Sequence, residues 1–284
     1  MARIRIITDI TAQLSPEVVE KHQITVLPLE IHYGDETVTL RPNEDPQALY
    51  QHMIESPAKP SSATIPAKAL QEAYSQLNRE ADDILVIVSS SLLSNGHAVA
   101  RTQAQAFLGR CRITVMDSLS VSKGLGLLVE AAAKAAQEGQ TLDDIVRLIR
   151  GMLPHIYMIF VVDRLDYLEQ GNRLGAAQSL LGTILRIKPL LLVEDGEILP
   201  VEKMRTQTMA LEKLSDFVGE FATIQEIYIL RGTQISDDDN IVEELKELLG
   251  LVLPEQAFPI IEYDPLLTCH LGPSALGVAV YEGL

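Results

Sequence analysis

The chain has 284 residues, 47% apolar and 22% charged, a globular balance that excludes general disorder and a length at which one core tends to split into two domains. Its 39 acidic residues outnumber 23 basic ones, and a formal net charge of -16 argues against a general nucleic-acid or anionic-membrane surface. No run approaches the ~18 uninterrupted apolar residues of a spanning helix, and the start leads into a strand pattern rather than a signal peptide, so the expected compartment is the cytoplasm. Cys111 and Cys269 have neither metal spacing nor a disulfide framework and read as reduced structural thiols.

In chain order, residues 3–8 read as a buried strand and 9–14 as a polar loop. Ser15-Pro16 then offers an N-cap and a first-turn proline for a helix over 17–21. Residues 24–32 are strand-like, Asp45-Pro46 opens a helix over 47–55, and 56–65 form a loop rich in Ser, Pro and Lys. A helix over 66–80, a strand over 83–88, a polar turn over 89–96 and a helix over 97–108 follow. A strand over 112–116, a second polar turn over 117–122 and an Ala- and Leu-rich helix over 123–137 come next. Thr141-Leu142-Asp143-Asp144 resembles a capping box for a helix ending near 151.

After Leu153-Pro154 the texture changes. A strand over 157–162 precedes two strand-like runs, 187–201, around Asp195-Gly196, a hairpin signal because a type I′ turn needs positive φ at both central positions. Strands over 225–230, 258–262 and 275–281 complete a second sheet. An antiparallel hairpin is foreign to the first half, which places the domain boundary near 154. The expected fold is α/β with two domains: residues 1–154, a largely parallel sheet with flanking helices, and residues 155–284, a mixed sheet containing a β-hairpin.

Three strand-to-helix turns in the first half are rich in small hydroxyls: Thr8-Asp9-Ile10-Thr11, Ser89-Ser90-Ser91, and Asp117 through Ser122. Ser61-Ser62 and Ser94-Asn95-Gly96 are placed to join them. Open α/β sheets bind ligands beyond the carboxyl ends of their strands, and hydroxyls with helix-start N–H groups favour an anionic oxygen. Each hydroxyl taken singly reads equally as an N-cap. Gly124-Leu125-Gly126 has no third glycine and reads as helix-on-sheet packing. Arg173, in a glycine-flanked turn, and Arg205, past the hairpin, read as carboxylate partners or as solvated surface. His270, assigned to a turn before the last strand, reads as a donor to a carboxylate, a proton-transfer group or a structural histidine. The G-x-S-x-G nucleophile elbow and any metal-ligand spacing are absent.

Ile6-Ile7-Thr8-Asp9, Lys59-Pro60-Ser61-Ser62, Leu93-Ser94-Asn95-Gly96 and the segment from Met116 to Gly126 resemble, in order, the sequence blocks of the DegV family. Asp163 through Gly175, Ile187-Lys188-Pro189, Asp195-Gly196-Glu197-Ile198 and His270-Leu271-Gly272-Pro273 extend the resemblance over nearly the whole chain. It implies a carrier that buries a long-chain fatty acid between two α/β domains and presents the carboxylate to a separate fatty acid kinase, which forms the acyl phosphate. It implies no cofactor, no catalytic residue and no metal, and only transient membrane contact for lipid exchange. Ser61 and Ser62 match the Thr and Ser of the family's Thr-Ser-Gln-Pro loop. Ser94 matches the Ser of its Leu-Ser-Gly-Thr turn, with one residue inserted near Leu92. These three with His270 would bind the carboxylate, and Arg173 and Arg205 would orient the head group or the kinase. Ile10 replaces a Ser, Ala63-Thr64 replaces Gln-Pro, and Asn95-Gly96 replaces Gly-Thr. A competing class is an enzyme, an acyl-ester hydrolase using Ser94 and His270 or a small-molecule phosphotransferase.

Overall fold

The run Ile4–Asp9 (β1) is mostly β-branched, and alternation along it sends Ile6 to one buried face and Ile7 to the other, which requires cover on both sides. The computed structural model describes residues 3–56, 60, 62–107, 109, 111–163, 167–168, 187–235 and 240–284. After β1 come α1 (Pro16–His22), β2 (Thr25–Leu27), β3 (Leu29–Tyr33), β4 (Glu36–Leu40), α2 (Gln47–Glu55), β5 (Ser62–Thr64) and α3 (Ala67–Leu77). The first half continues with β6 (Asp83–Val88), α4 (Gly96–Ala104), β7 (Arg112–Asp117), α5 (Ser122–Gln137) and α6 (Leu142–Met152). The second contains β8 (Ile156–Val161), β9 (Lys188–Glu194), β10 (Glu197–Met204), α7 (Gln207–Gly219), β11 (Glu226–Arg231), α8 (Asn240–Val252), β12 (Ile260–Glu262), α9 (Pro265–Leu271) and β13 (Leu276–Tyr281).

Local signals account for several of these boundaries. The Ser15 hydroxyl accepts from Val18 N–H at 3.3 Å with Pro16 in the first turn of α1, and the Thr141 hydroxyl accepts from Asp144 N–H at 3.3 Å at the start of α6. Asp195 and Gly196, at φ 49° and 83°, turn β9 into β10 as the Asp-Gly pair predicts.

The first half forms an all-parallel sheet, β2-β1-β6-β7, covered on one face by α5 and α6 and on the other by α3 and α4. A second, antiparallel sheet, β4-β3-β5, also lies in this half, which corrects the expectation that hairpins are foreign to it. The predicted single strand over 24–32 breaks at Pro28. With no N–H to extend a ladder, the chain leaves the parallel sheet and Leu29 begins the antiparallel one.

In the second half a six-stranded mixed sheet runs β10-β9-β8-β13-β11-β12, antiparallel except for the β11–β12 pair. One face packs Ile159, Leu190, Val278 and Val280 against α7 and α8. The opposite face presents Met158, Phe160, Leu191, Val193 and Ala279 to Leu29, Ile31, Tyr33, Leu49, Tyr50 and Met53 of the first half. A single apolar layer is thus built from both halves.

Gly277 sits opposite Phe160 in the β8–β13 ladder, where an added Cβ would collide with the Phe160 ring and the Ile159 carbonyl oxygen. Gly277→Ala should lower stability by about 1–3 kcal/mol through overpacking. Urea unfolding should show this as a lower midpoint at unchanged slope.

Candidate binding site

Register brings the carboxyl ends of β1, β6 and β7 side by side, so Asp9, Ser89-Ser90 and Asp117-Ser118 emerge together at one edge of the parallel sheet. All but Asp117 are fully buried, and most polar groups in these turns bind one another. Asp9 accepts from Thr11 N–H at 3.0 Å and from Ser89 N–H at 3.3 Å. Ser90 N–H donates to Ser120 O at 2.8 Å, and the Ser118 hydroxyl donates to Ser120 O at 3.0 Å. The Ser90 hydroxyl reaches the other half, donating to Gly196 O of the β9–β10 turn at 2.7 Å. Gly196 is needed there twice, for its positive φ and because a Cβ would strike the Ser90 hydroxyl.

Four residues on, the chain folds under β5. Ser94 N–H donates to Ser90 O at 3.0 Å, its hydroxyl donates to Ala63 O at 3.3 Å, and Gly96 N–H donates to that hydroxyl at 3.0 Å as α4 begins. Ser62, half-buried, precedes Ala63 and pairs with His32. His270 arrives from the second half, its Nε2 donating to Leu93 O at 3.1 Å. Ser94 and His270 therefore meet at one turn, both buried, with the shared apolar layer beside them through Leu93 and Ala63, whereas Ser62 stands on the face of β5 opposite Ala63.

His270 lies in the last turn of α9, not in a loop as expected. The overlooked signal was Asp264-Pro265: Asp264 caps the helix, accepting from Leu266 N–H at 2.9 Å and Leu267 N–H at 3.1 Å, with Pro265 in the first turn. Asp264 is itself fully buried, and burial and the nearby Asp9 carboxylate push its pKa up to about 7. Burial also raises the pKa of Asp9. Both line a cavity of about 300 Å³ that also touches Gln13, Leu40, Tyr50 and Pro265.

Arg205 is exposed, one residue past β10. Met204 pairs with Lys188 at the end of the sheet where β13 begins, placing Arg205 roughly 14 Å, three strand spacings, from that strand. Ser61 and Arg173 fall outside the described residues. Among the described residues, no cluster of three or more His, Cys, Asp or Glu could hold a metal, and no helix is long and apolar enough to cross a membrane.

A family model described as "Uncharacterised protein, DegV family" matches residues 3–283. Curated DegV domain-containing proteins of Deinococcus radiodurans and Streptomyces coelicolor are each 31% identical to this chain, over 283 and 280 residues, with 98% of both chains covered. Among solved structures, a fatty-acid-binding DegV family protein from Thermus thermophilus superposes with a TM-score of 0.83 at 27% identity, covering 99% of this chain and 100% of its own. A fatty-acid-binding DegV family protein from Streptococcus agalactiae gives 0.87 at 24% identity, covering all of both chains.

Ser90→Ala should remove the bond to Gly196 O and the cap on Leu92 N–H, lowering stability by about 1–2 kcal/mol. Thermal unfolding would register this as a lower Tm.

Proposed function

Because the chain belongs to the DegV family, we propose that it binds a long-chain fatty acid between two domains, residues 1–154 and 155–284, and carries it without catalysing a reaction by itself. The observation that carries this reading is the meeting of Ser94 and His270, one from each half, at a turn bordering an apolar layer that both halves build. An acyl chain of about 16 carbons gains roughly 0.8 kcal/mol per buried CH₂, so a carrier needs apolar depth more than many polar contacts. Leu191, Val193, Phe160 and Met53 supply that depth. A buried carboxylate needs donors, and the hydroxyls of Ser94, Ser62 and Ser61 with the His270 imidazole fill that role.

Presentation of the carboxylate to a partner kinase for acyl-phosphate formation belongs to the same proposal, with Arg173 and Arg205 as head-group or partner contacts. Leu92, two residues past Ser90, and Leu119, in the turn after β7, are exposed and would provide the apolar surface for transient membrane contact during lipid exchange. The hydrolase alternative requires His270 to take the Ser94 proton. Here the Ser94 hydroxyl points that proton at Ala63 O while His270 Nε2 donates to Leu93 O, an arrangement that favours the carrier.

Titration with a fluorescent long-chain fatty acid tests the proposal. Wild-type protein should bind one equivalent, and Ser94→Ala should weaken binding roughly tenfold or more, the loss of a charge-assisted hydrogen bond. Ser62→Ala, which leaves the Gly96 N–H bond to the Ser94 hydroxyl intact, should weaken it less. Unchanged affinity in both variants contradicts the site. Acyl-ester turnover that disappears in both Ser94→Ala and His270→Ala would instead establish the enzyme.

A further inference from the structure

Asp9 ends β1 in the first half and Asp264 precedes α9 in the second, and both are fully buried and line one cavity between the halves. Asp9 has its oxygens occupied by Thr11 and Ser89. Asp264 Oδ1 accepts the two N–H groups of its own helix, whereas Oδ2 is buried with no hydrogen-bond partner among the described residues. Ser122 lies near enough to lower the Asp264 pKa, but its hydroxyl hydrogen goes to Gln13 Oε1 at 2.6 Å.

The other groups around the pair do not neutralise it. Tyr50 of α2 donates its hydroxyl hydrogen to Tyr263 O at 2.9 Å, and Tyr263 donates its own to Gly272 O. Glu262 of β12 accepts from Gln47 at 3.2 Å and adds negative charge. At the cavity's edge Arg41 pairs with Glu44 at 3.3 Å. Among the described residues no Lys, Arg or His forms an ion pair with Asp9 or Asp264. Two fully buried carboxyls lining one cavity, with no cation among the described residues paired to either, repel each other when both are ionised.

We infer that Asp9 and Asp264 form a proton-held latch: with a proton on the pair the two halves stay closed, and with both carboxyls ionised they are driven apart. The latch acts on the head-group site through α9. Asp264 caps that helix and His270 sits six residues on, about 9 Å along it, bonded to Leu93 O. Displacing Asp264 from Asp9 pulls His270 from the Ser94 turn. This consequence rests on the fatty-acid reading; the latch itself does not.

An acid whose pKa is raised on folding contributes stability that is fully present below its unfolded value near 3.8 and is lost as pH climbs through the folded value, about 7 for Asp264. Full-length wild-type protein should therefore lose several degrees of Tm between pH 6 and pH 8.5. Asp264→Asn keeps a capping oxygen for Leu266 and Leu267 and removes the charge. It should flatten that slope and melt above wild type at pH 8.5. Asp9→Asn should also flatten it, and combining the two should add little, because the pair titrates as a unit.

Fatty-acid affinity, measured with the same fluorescent probe, should fall roughly tenfold from pH 6 to pH 8.5 in wild type and much less in Asp264→Asn. His270 and the fatty acid's own carboxyl are common to both proteins, so their titration cancels in the comparison. An undiminished Tm slope in both single variants overturns the latch. If Asp264→Asn fails to fold, the slope of Asp9→Asn decides alone. A flattened Tm slope with no fatty acid bound at any pH supports the latch and contradicts the fatty-acid reading. Binding whose pH dependence is equal in wild type and Asp264→Asn overturns the link to the site.

Discussion

Neither half of this chain can bury its own apolar surface. The six-stranded sheet is apolar on both faces, and α7 and α8 cover only the one carrying Ile159, Val278 and Val280. Phe160, Leu191, Val193 and Ala279 on the other face must meet apolar surface elsewhere, and Leu29, Ile31, Tyr33 and Met53 from the antiparallel sheet and α2 provide it. At roughly 25 cal/mol per Å² of apolar area removed from water, that shared layer fixes how the halves dock. Polar groups that docking removes from water are then paired across the junction: Ser90 binds Gly196 O, His270 binds Leu93 O and Gln13 bridges Ser122 to Glu262.

The hydroxyl-rich turns have two uses in this arrangement. Ser90 and Ser118 are committed to holding loops together, so they are structural despite standing where α/β sheets bind ligands. Ser94 is different, because its hydroxyl makes a long 3.3 Å bond to Ala63 O and lies one residue from Leu93, whose carbonyl holds His270. A carboxylate could take that hydroxyl hydrogen in exchange for a weak bond. The same junction contains the Asp9 and Asp264 carboxyls, whose pKa values burial raises and which no ion pair among the described residues compensates.

Much of this was legible in the residues. The Ser15-Pro16 and Thr141 caps, the Asp195-Gly196 turn and the alternation of parallel strands with helices depend on local chemistry, and each appears where its signal stood. Less visible was anything set by a non-local partner. The sheet formed by β3, β4 and β5 consists of short strands whose pairing unites residues 29–40 with 62–64, and no local period announces that. Pro28 marked the break but not the destination. For the site, hydroxyl content singled out Ser62 and Ser94, the family resemblance supplied their role, and the geometry added that His270 approaches on a helix capped by Asp264. A buried acid reads in sequence like any surface aspartate, so the burial of Asp9 and Asp264 at one cavity had no local signature.

On the function proposed above, a fatty acid lies in the shared layer with its carboxylate at the Ser94 turn. A crystal structure of the protein with an ω-bromo long-chain fatty acid, read by anomalous scattering, tests it most directly. The expected result is a carboxylate within hydrogen-bond distance of the Ser94 hydroxyl and a single bromine peak among the apolar side chains contributed by both halves. A bromine peak outside that layer, or a carboxylate seated away from Ser94 and His270, would contradict it.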